Sequence, residues 1–353
     1  MSPHTANPWE GTMDSYQNSV VLVTGGTGSF GNTLVRHLSD KDCSEIRIFS
    51  RDETKQDEMR RKFAHLENVR FFLGDVRDRQ SVDRAMINVD LIFHAAALKQ
   101  VPSCEFFPSE AVSTNIDGSH NVVESARRHE VQAVVLLSTD KAVYPINAMG
   151  MTKALMEKIG QAAARELLRE KSNTRVMVTR YGNVLYSRGS VVPAFIAQIR
   201  AGTPLTITDP TMTRFLLPLS DSVTLVEHAW QTGNNGDVFV RKAPACTMAD
   251  LAQAIQNMFA RQVGTTTVGI RHGEKIHETL VSNIELNRAI SSPDYFQIPL
   301  DDRDLRYSDY FENGSQQLPK EDGYDSSNTV QLNVAEIEAL LGSLPELQAV
   351  LNK

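Results

Sequence analysis

Cysteine is scarce in this chain: three in 353 residues, at Cys43, Cys104 and Cys246, with no C-x-x-C pair among them. That excludes a disulfide framework and a zinc cluster, and it fits a reducing cytosol. No apolar run approaches the roughly 18 residues that a membrane helix needs. The N-terminus, MSPHTANPWEGTMDSYQNS, has no basic stretch ahead of an apolar one, so no secretory signal is expected and the protein is expected to be cytoplasmic. Positive charge is in short supply too. Lys and Arg number 36 against 43 Asp and Glu, and the net charge of −7 argues against nucleic acid or an anionic membrane as the main partner. Internal repeats and low-complexity tracts are also absent, and no metal site is expected.

What the sequence does contain is an alternation. Short apolar runs at 20–24, 46–50, 69–73, 91–94, 133–138 and 176–180 are separated by stretches of helical periodicity. Those helical stretches lie at 32–38, 53–62, 81–86, 116–129 and 148–168. The pattern predicts an α/β fold: a Rossmann-type, doubly wound parallel sheet with helices on both faces. It fades after about residue 185. The expected organisation is a flexible tail over 1–18, a dinucleotide-binding domain over 19–185, and a smaller C-terminal substrate-binding region with an appendage over 186–353. Segments of the last two are free to interleave.

The first strand runs into VTGGTGSFG and then a helix. Gly25, Gly28 and Gly31 have the spacing that permits a tight turn and brings backbone close to a pyrophosphate, whose charge the helix N-terminus stabilises. Thr27, Ser29 and Phe30 belong to the same loop and are counted with its cofactor contacts. The second strand ends in Ser50 and Arg51, where NAD-selective sites usually place an acid against the ribose 2′-hydroxyl. A hydroxyl and a guanidinium suit a 2′-phosphate, so NADP is expected over NAD, with Asp52 keeping NAD open. Asp75 and Val76, just past the third strand, are placed to flank the adenine. After the fourth strand, Ala95, Ala96 and Ala97 leave room for diphosphate and ribose beside the backbone, and Lys99 follows near the same face.

The fifth strand leads into LLSTDKAVYP, which puts Ser138, Thr139, Asp140 and Lys141 at its carboxyl edge. Ligands bind at that edge in open α/β sheets. An adjacent Asp and Lys can supply one acid and one base, with pKa values moved toward neutrality by burial and by each other. Lys153, at the start of the next helix, carries an ammonium suited to nicotinamide ribose hydroxyls.

Taken together, TGGTGSFG, SRDETKQ, GDVRD, HAAALKQVP, STDKAVYPINAMG, RYGNVLYSRGSVVP, MTRF and RHGEKIHETL resemble the extended short-chain dehydrogenase/reductase family. More narrowly, they resemble its inverting UDP-N-acetylglucosamine 4,6-dehydratases, the CapE-like branch of capsule and O-antigen biosynthesis. The resemblance runs from about Val20 to the end of the chain, DDRDLRYSDYF through YDSSNT included, and STDKA with RYGNVLYSRGS is its specific part. It implies a retained NADP(H), UDP-N-acetylglucosamine as substrate, and a homo-oligomer, with a hexamer as one form. Hydride leaves the hexose C4, and the ketone formed there acidifies the C5 proton. A base takes that proton while an acid helps the C6 hydroxyl leave as water. Hydride returns to C6, and C5 is reprotonated from the opposite face, with no net redox change. The family pattern assigns the acid at O6 to Asp140 and the base at C5 to Lys141. It adds Asn115, Ser138 and Tyr181 to the cofactor contacts. Thr139, Asn183, Arg188, Ser190, Val191, Arg214, Arg271 and Glu274, with Lys99, become candidates for the nucleotide sugar.

One more absence matters here. Enzymes of this family usually carry Tyr-x-x-x-Lys, with the Tyr as acid/base, but this chain has Met149 at the Tyr-replacing position ahead of Lys153. A thioether neither holds nor releases a proton at neutral pH. The O4 proton is then left to Lys141, Asp140 or a water held by Lys153, with Tyr144 as a substitute. Two other readings share the motifs. A UDP-hexose 4-epimerase has the same fold, cofactor and C4 oxidation, and a catalytically silent NADP-binding sensor would explain Met149. The Asp140–Lys141 pair speaks against both.

Overall fold

The computed structural model describes residues 15–187, 189–301 and 322–351. Its first six strands are the apolar runs of the sequence: β1 (Val20–Thr24), β2 (Glu45–Ser50), β3 (Val69–Leu73), β4 (Leu91–His94), β5 (Ala133–Leu137) and β6 (Arg175–Arg180). All of them pair in parallel. Every residue of β4, β5 and β6 is buried. A strand covered on both faces reads as a continuous apolar run, which is why these stand out in the sequence. The intervening helices are α1 (Ser29–Leu38), α2 (Glu53–Lys62), α3 (Arg79–Met86), the short α4 (Val101–Phe106) and α5 (Pro108–Ala111), α6 (Gly118–Arg128) and α7 (Ala148–Glu170). Asp52 caps α2 and Asn147 caps α7, each accepting a backbone N–H of the first turn. The helical periodicity expected over 116–129 is entered through a π-helical turn, Val112–Asp117.

The sheet does not end where the alternation fades. After α8 (Val191–Ala201) and two three-residue strands, β7 (Leu205–Ile207) and β8 (Thr213–Phe215), α9 (Leu219–Thr232) returns to pack on α1. β9 (Val238–Arg241) then joins β6 in parallel. Further on come β10 (Ala245–Thr247), α10 (Met248–Met258), β11 (Thr265–Thr267), β12 (Thr279–Val281), α11 (Asn283–Leu286), β13 (Ile290–Ser291), β14 (Tyr295–Ile298) and β15 (Tyr324–Asp325). The nine-stranded order is β13-β14-β9-β6-β5-β4-β1-β2-β3, with β13 and β14 antiparallel. Residues 238–241, 290–291 and 295–298 thus belong to the central sheet, and α9 packs on its helical layer, although all of them lie beyond 185. An insertion of short, irregular elements separates β6 from β9 and hides the period. A separate apolar core gathers Leu185, Phe195, Ile199, Leu251, Ile255 and Ile337 outside the sheet. Among the described residues no helix is long and apolar enough to cross a membrane.

Strand order reverses beside β1, between β2 on one side and β4 on the other. The crevice outside the carboxyl ends at such a reversal is where open α/β sheets hold their ligands.

Candidate active site

The loop after β1 is a tight cradle. Gly25 has φ +64°, and a Cβ there would lie 2.7 Å from the backbone of Ala96. A Cβ on Gly31 would lie 2.0 Å from the Gly26 carbonyl oxygen. Gly28 caps α1 without a side-chain bond, so the N-terminus of the helix is left open to an anion. Ser29 and Phe30 begin α1, and Phe30 packs half-buried on the core beneath. A dinucleotide pyrophosphate fits this donor set: backbone brought close by glycine, with a bare helix N-terminus behind it.

At the end of β2 the hydroxyl and the guanidinium sit differently. Ser50 is buried, its hydroxyl accepting from Thr27 at 3.3 Å while Gln56 reaches its carbonyl at 2.9 Å. It is 8% exposed, and as an acceptor in this contact its hydroxyl keeps its own proton to donate. Arg51 is exposed, 3.6 Å from Asp75, whereas Asp52 is occupied by its capping bond and by Lys55. Asp75 is gripped by Arg77, with guanidinium contacts of 2.7 to 3.1 Å. Burial alone raises this carboxyl, but the Arg77 bonds outweigh it and hold it below the usual range. Val76 is buried in the core instead of lining the cleft, which Asp75, Arg77, Asp78, Ser113 and Asp117 border. Ala95, Ala96 and Ala97 are half-buried beside the glycine loop, and Lys99 is exposed on the segment that follows.

Asn115 also departs from expectation. It is fully buried, and its amide is spent on Leu98 in both directions, at 2.8 and 3.0 Å, and on Thr152 at 3.0 Å. It fastens the loop after β4 to α7 and does not face the crevice.

The Asp140–Lys141 pair stands where β5 and β6 still hold each other. Ser138 N–H donates to the Thr179 carbonyl at 2.7 Å and Asp140 N–H to that of Tyr181 at 3.2 Å. A single turn, Asp140–Ala142, follows, capped by Thr139. Asp140 is fully buried. Its Oδ1 accepts from the Thr139 hydroxyl at 2.8 Å and from Lys141 Nζ at 3.1 Å. Its Oδ2 is buried with no partner among the described residues, a costly state that native proteins keep mainly at functional positions. Lys141 Nζ also meets Glu278 Oε1 at 3.1 Å. Burial disfavours the ammonium, but the charges of Asp140 and Glu278 outweigh it, so the pKa of Lys141 is raised. That is opposite to the expected movement toward neutrality, because Asp140 first and Glu278 second both hold the ammonium. Lys153 moves the other way. Burial brings it to about 8, although Glu157 and Cys104 oppose the fall. Its Nζ donates to the Leu137 carbonyl at 2.8 Å, at the very end of β5.

Neither substitute for the missing phenol reaches the pair through its own polar group. Met149 is buried in a small apolar cluster with Cys104 and Ala111. Tyr144, at φ +47°, is half-exposed and its hydroxyl donates to Asn283 Oδ1 at 2.7 Å.

Of the substrate candidates, Arg188 lies outside the described residues. Asn183 Oδ1 and Ser190 Oγ are buried without partners among the described residues, and Val191 opens α8 beside them in sequence. Arg214 is nearly buried and donates to the carbonyls of Thr213, Ile276 and Lys275, so it braces the 275–276 segment. Arg271 is largely exposed and 3.8 Å from Glu274, whose other oxygen accepts from Thr208 at 3.0 Å. Tyr181 is half-buried, and its phenol is pushed up by burial.

Residues 21–300 match the polysaccharide biosynthesis protein family, and residues 301–348 match the family of polysaccharide biosynthesis protein C-terminal regions. The chain belongs to the polysaccharide biosynthesis protein family. It is similar to the UDP-glucose 4-epimerase of Rickettsia canadensis (strain McKiel), 50% identical over 337 residues that cover 94% of this chain and 98% of the relative. Among solved structures it resembles Pen from Bacillus thuringiensis, with a TM-score of 0.83 and 32% identity over 92% of this chain and 98% of that one. DesIV of Streptomyces venezuelae, a dTDP-glucose 4,6-dehydratase solved with NAD and TYD, shares the fold at a TM-score of 0.65 and 22% identity, over 73% of this chain and 86% of that one. The 50%-identical relative is thus named for a nucleotide-sugar epimerase, and nucleotide-sugar dehydratases and epimerases among the solved structures, some of them with NAD bound, share the fold.

Sequence reading missed the wall behind the Asp140–Lys141 pair. Ser138 donates to Glu157 at 2.5 Å, and Glu157 takes Arg180 through bonds of 2.8 and 2.6 Å. Arg180 then holds Glu285 at 2.9 and 2.8 Å and reaches the Leu280 carbonyl at 3.2 Å. Burial pushes Glu285 up, but Arg180 more than offsets this and brings it to about 2. The network joins β5, α7 and β6 to the segment carrying β12. Glu278, on that same segment, was missed as well. No local spacing signals partners 105 residues apart, as Arg180 and Glu285 are.

Proposed function

We propose that the chain is a UDP-N-acetylglucosamine 4,6-dehydratase that inverts C5, with Asp140 as the acid at O6 and Lys141 as the base at C5. One observation carries the reading: an acidic and a basic side chain 3.1 Å apart at the carboxyl end of β5, where no phenol offers a proton. A simple C4 oxidation needs one proton acceptor, whereas loss of water across C5–C6 needs both a donor and an acceptor. When bound, the nicotinamide supplies a hydride acceptor for C4 and a hydride donor for C6. The chain's own part is to hold and move protons. The Thr139 hydroxyl and the Lys141 ammonium orient Asp140 by bonding one oxygen, which leaves Oδ2 for the leaving group. Lys153, brought to about 8, exchanges its proton readily near neutral pH and supports a water-borne route for the O4 proton. Asn183 and Ser190, with unpaired buried oxygens, and the exposed Arg271 are proposed contacts for UDP.

The 4-epimerase reading is the alternative, supported by the name of the 50%-identical relative. Mass spectrometry of the product from UDP-N-acetylglucosamine separates the two. Loss of one water supports the dehydratase, and an isomer of unchanged mass sinks it. Proton NMR of the same product reads the C5 configuration.

NADP is the proposed cofactor, because Arg51 is exposed at the 2′-position while Asp52 is occupied in capping α2. The Arg51→Ala variant is expected to raise the Kd for NADP about tenfold, the equivalent of one charge-assisted hydrogen bond, and to leave that for NAD within about twofold. Equal weakening of both, read by calorimetry, would remove Arg51 from 2′-phosphate recognition.

A further inference from the structure

We propose that Glu278 is a positioning residue for the reaction, the second carboxylate that holds Lys141 in place and sets the pH at which Lys141 becomes a base. The inference rests on the proposed role of Lys141 and goes beyond it, since Glu278 lies on a segment 137 residues further along the chain and meets Lys141 through its ammonium.

The geometry is that of a built ion pair. Glu278 is 2% exposed, and its Oε1 lies 3.1 Å from Lys141 Nζ and 3.9 Å from Arg214 Nε. Its backbone N–H donates to Ser326 Oγ at 2.9 Å, and that hydroxyl is tied to Thr213 at 2.7 Å. Three segments therefore converge to aim one carboxylate at one ammonium. Its Oε2 is buried and has no partner among the described residues, so the carboxylate is oriented by the cation and not by a ring of donors.

The other charged and titratable groups around Lys141 are Asp140 on its own turn, Arg214 on β8, and Lys275 and His277 on the segment before β12. Lys275 donates to the Val143 carbonyl, and His277 is turned to the Thr213 hydroxyl. Lys153 on α7 faces the Leu137 carbonyl, and Asp325 on β15 bonds Ser327 and Asn328. Asp140 and Glu278 are the two anions paired with the ammonium. Before each abstraction Lys141 must release one proton to solvent. The neutral amine then takes the C5 proton, and the C–H electron pair enters the C4–C5 enolate.

The sign follows directly. Removing a neighbouring negative charge lowers the pKa of an ammonium. In Glu278→Gln the acid limb of the kcat–pH profile should therefore move to lower pH by about one unit or more, while KM for UDP-N-acetylglucosamine changes less than about twofold. Glu278→Asp, which keeps the charge but withdraws it by one methylene, should move the limb the same way by less. A structural role would lower kcat at every pH without moving the limb, and an unmoved limb in either variant overturns the proposal. A product of unchanged mass sinks the dehydratase reading and the C5 role of Lys141 with it, whereas water loss with an unmoved limb sinks this inference alone. Wild-type protein that turns over no UDP-sugar sinks both.

Discussion

Lys141→Met is expected to lower kcat for dehydration by about 10²- to 10⁴-fold, the span that one positioned acid or base contributes, while NADP still binds. The residue stands apart from the glycine cradle, so cofactor affinity is the internal control. The complication is stability. Lys141 is the cation between Asp140 and Glu278, and both carboxylates are nearly inaccessible. Removing one partner of a buried ion pair costs roughly 3–5 kcal/mol, because the charge left behind is uncompensated. Lys141→Arg separates the two effects. Guanidinium keeps the positive charge and cannot be deprotonated in a protein. That variant should melt close to wild type and still fail to dehydrate. Turnover within threefold of wild type by either variant would end the assignment of Lys141 as base. The pH dependence gives an independent check. The folded pKa of Lys141 is raised, so its contribution to stability is fully present below the unfolded lysine value of about 10.4 and is lost as pH rises through the folded value. The Tm gap between wild type and Lys141→Met should be constant from neutral pH to about 10, and close only above that.

The fold was legible where burial leaves a local trace. β1 to β6 appear as apolar runs because parallel strands under two helical layers have no wet face. The Asp140–Lys141 contact was legible because the two residues are neighbours in sequence and sit at a strand end. Beyond that the signal thins. β9 is four residues long and follows a stretch of three-residue strands, so no window holds a full period. Ser50 was paired with Arg51 for a 2′-phosphate, and no local pattern announces that Gln56 of α2 bonds its carbonyl and that it is buried. Asn115 was placed with the cofactor, and only the tertiary structure shows both its amide hydrogens and one oxygen lone pair engaged within the protein. The Glu157–Arg180–Glu285 wall and Glu278 depend on tertiary pairing alone. In the sequence each is one more charged residue in a chain where 22% are charged.

Gly150→Ala should cost kcat about 100-fold, although intrinsic propensity points the other way. Gly150 lies in the first turn of α7, where alanine would favour the helix by about 1 kcal/mol. Close approach overrides that preference. A Cβ at Gly150 would lie 2.2 Å from the Lys141 carbonyl oxygen and 3.3 Å from Asn147 Oδ1, the atom that caps the helix. The obstructing atom is backbone, which cannot rotate away as a side-chain end can. Either the Asp140–Ala142 turn or the start of α7 must move by on the order of 1 Å, and a misplacement of that size costs about 10²-fold in rate. Asp140 and Lys141, the proposed acid and base, both ride on that turn, so the loss should fall on kcat, with little change in NADP affinity. Gly160→Ala, ten residues along the same helix, is the control. Its Cβ would approach the end of the Leu136 side chain at 2.7 Å, with no backbone atom inside 3 Å. Its cost should appear in Tm and leave kcat within about threefold. If Gly150→Ala turns over as fast as Gly160→Ala, then Lys141 does not depend on α7 for its position, and the geometry of the turn is held by β5, β6 and Glu278 alone.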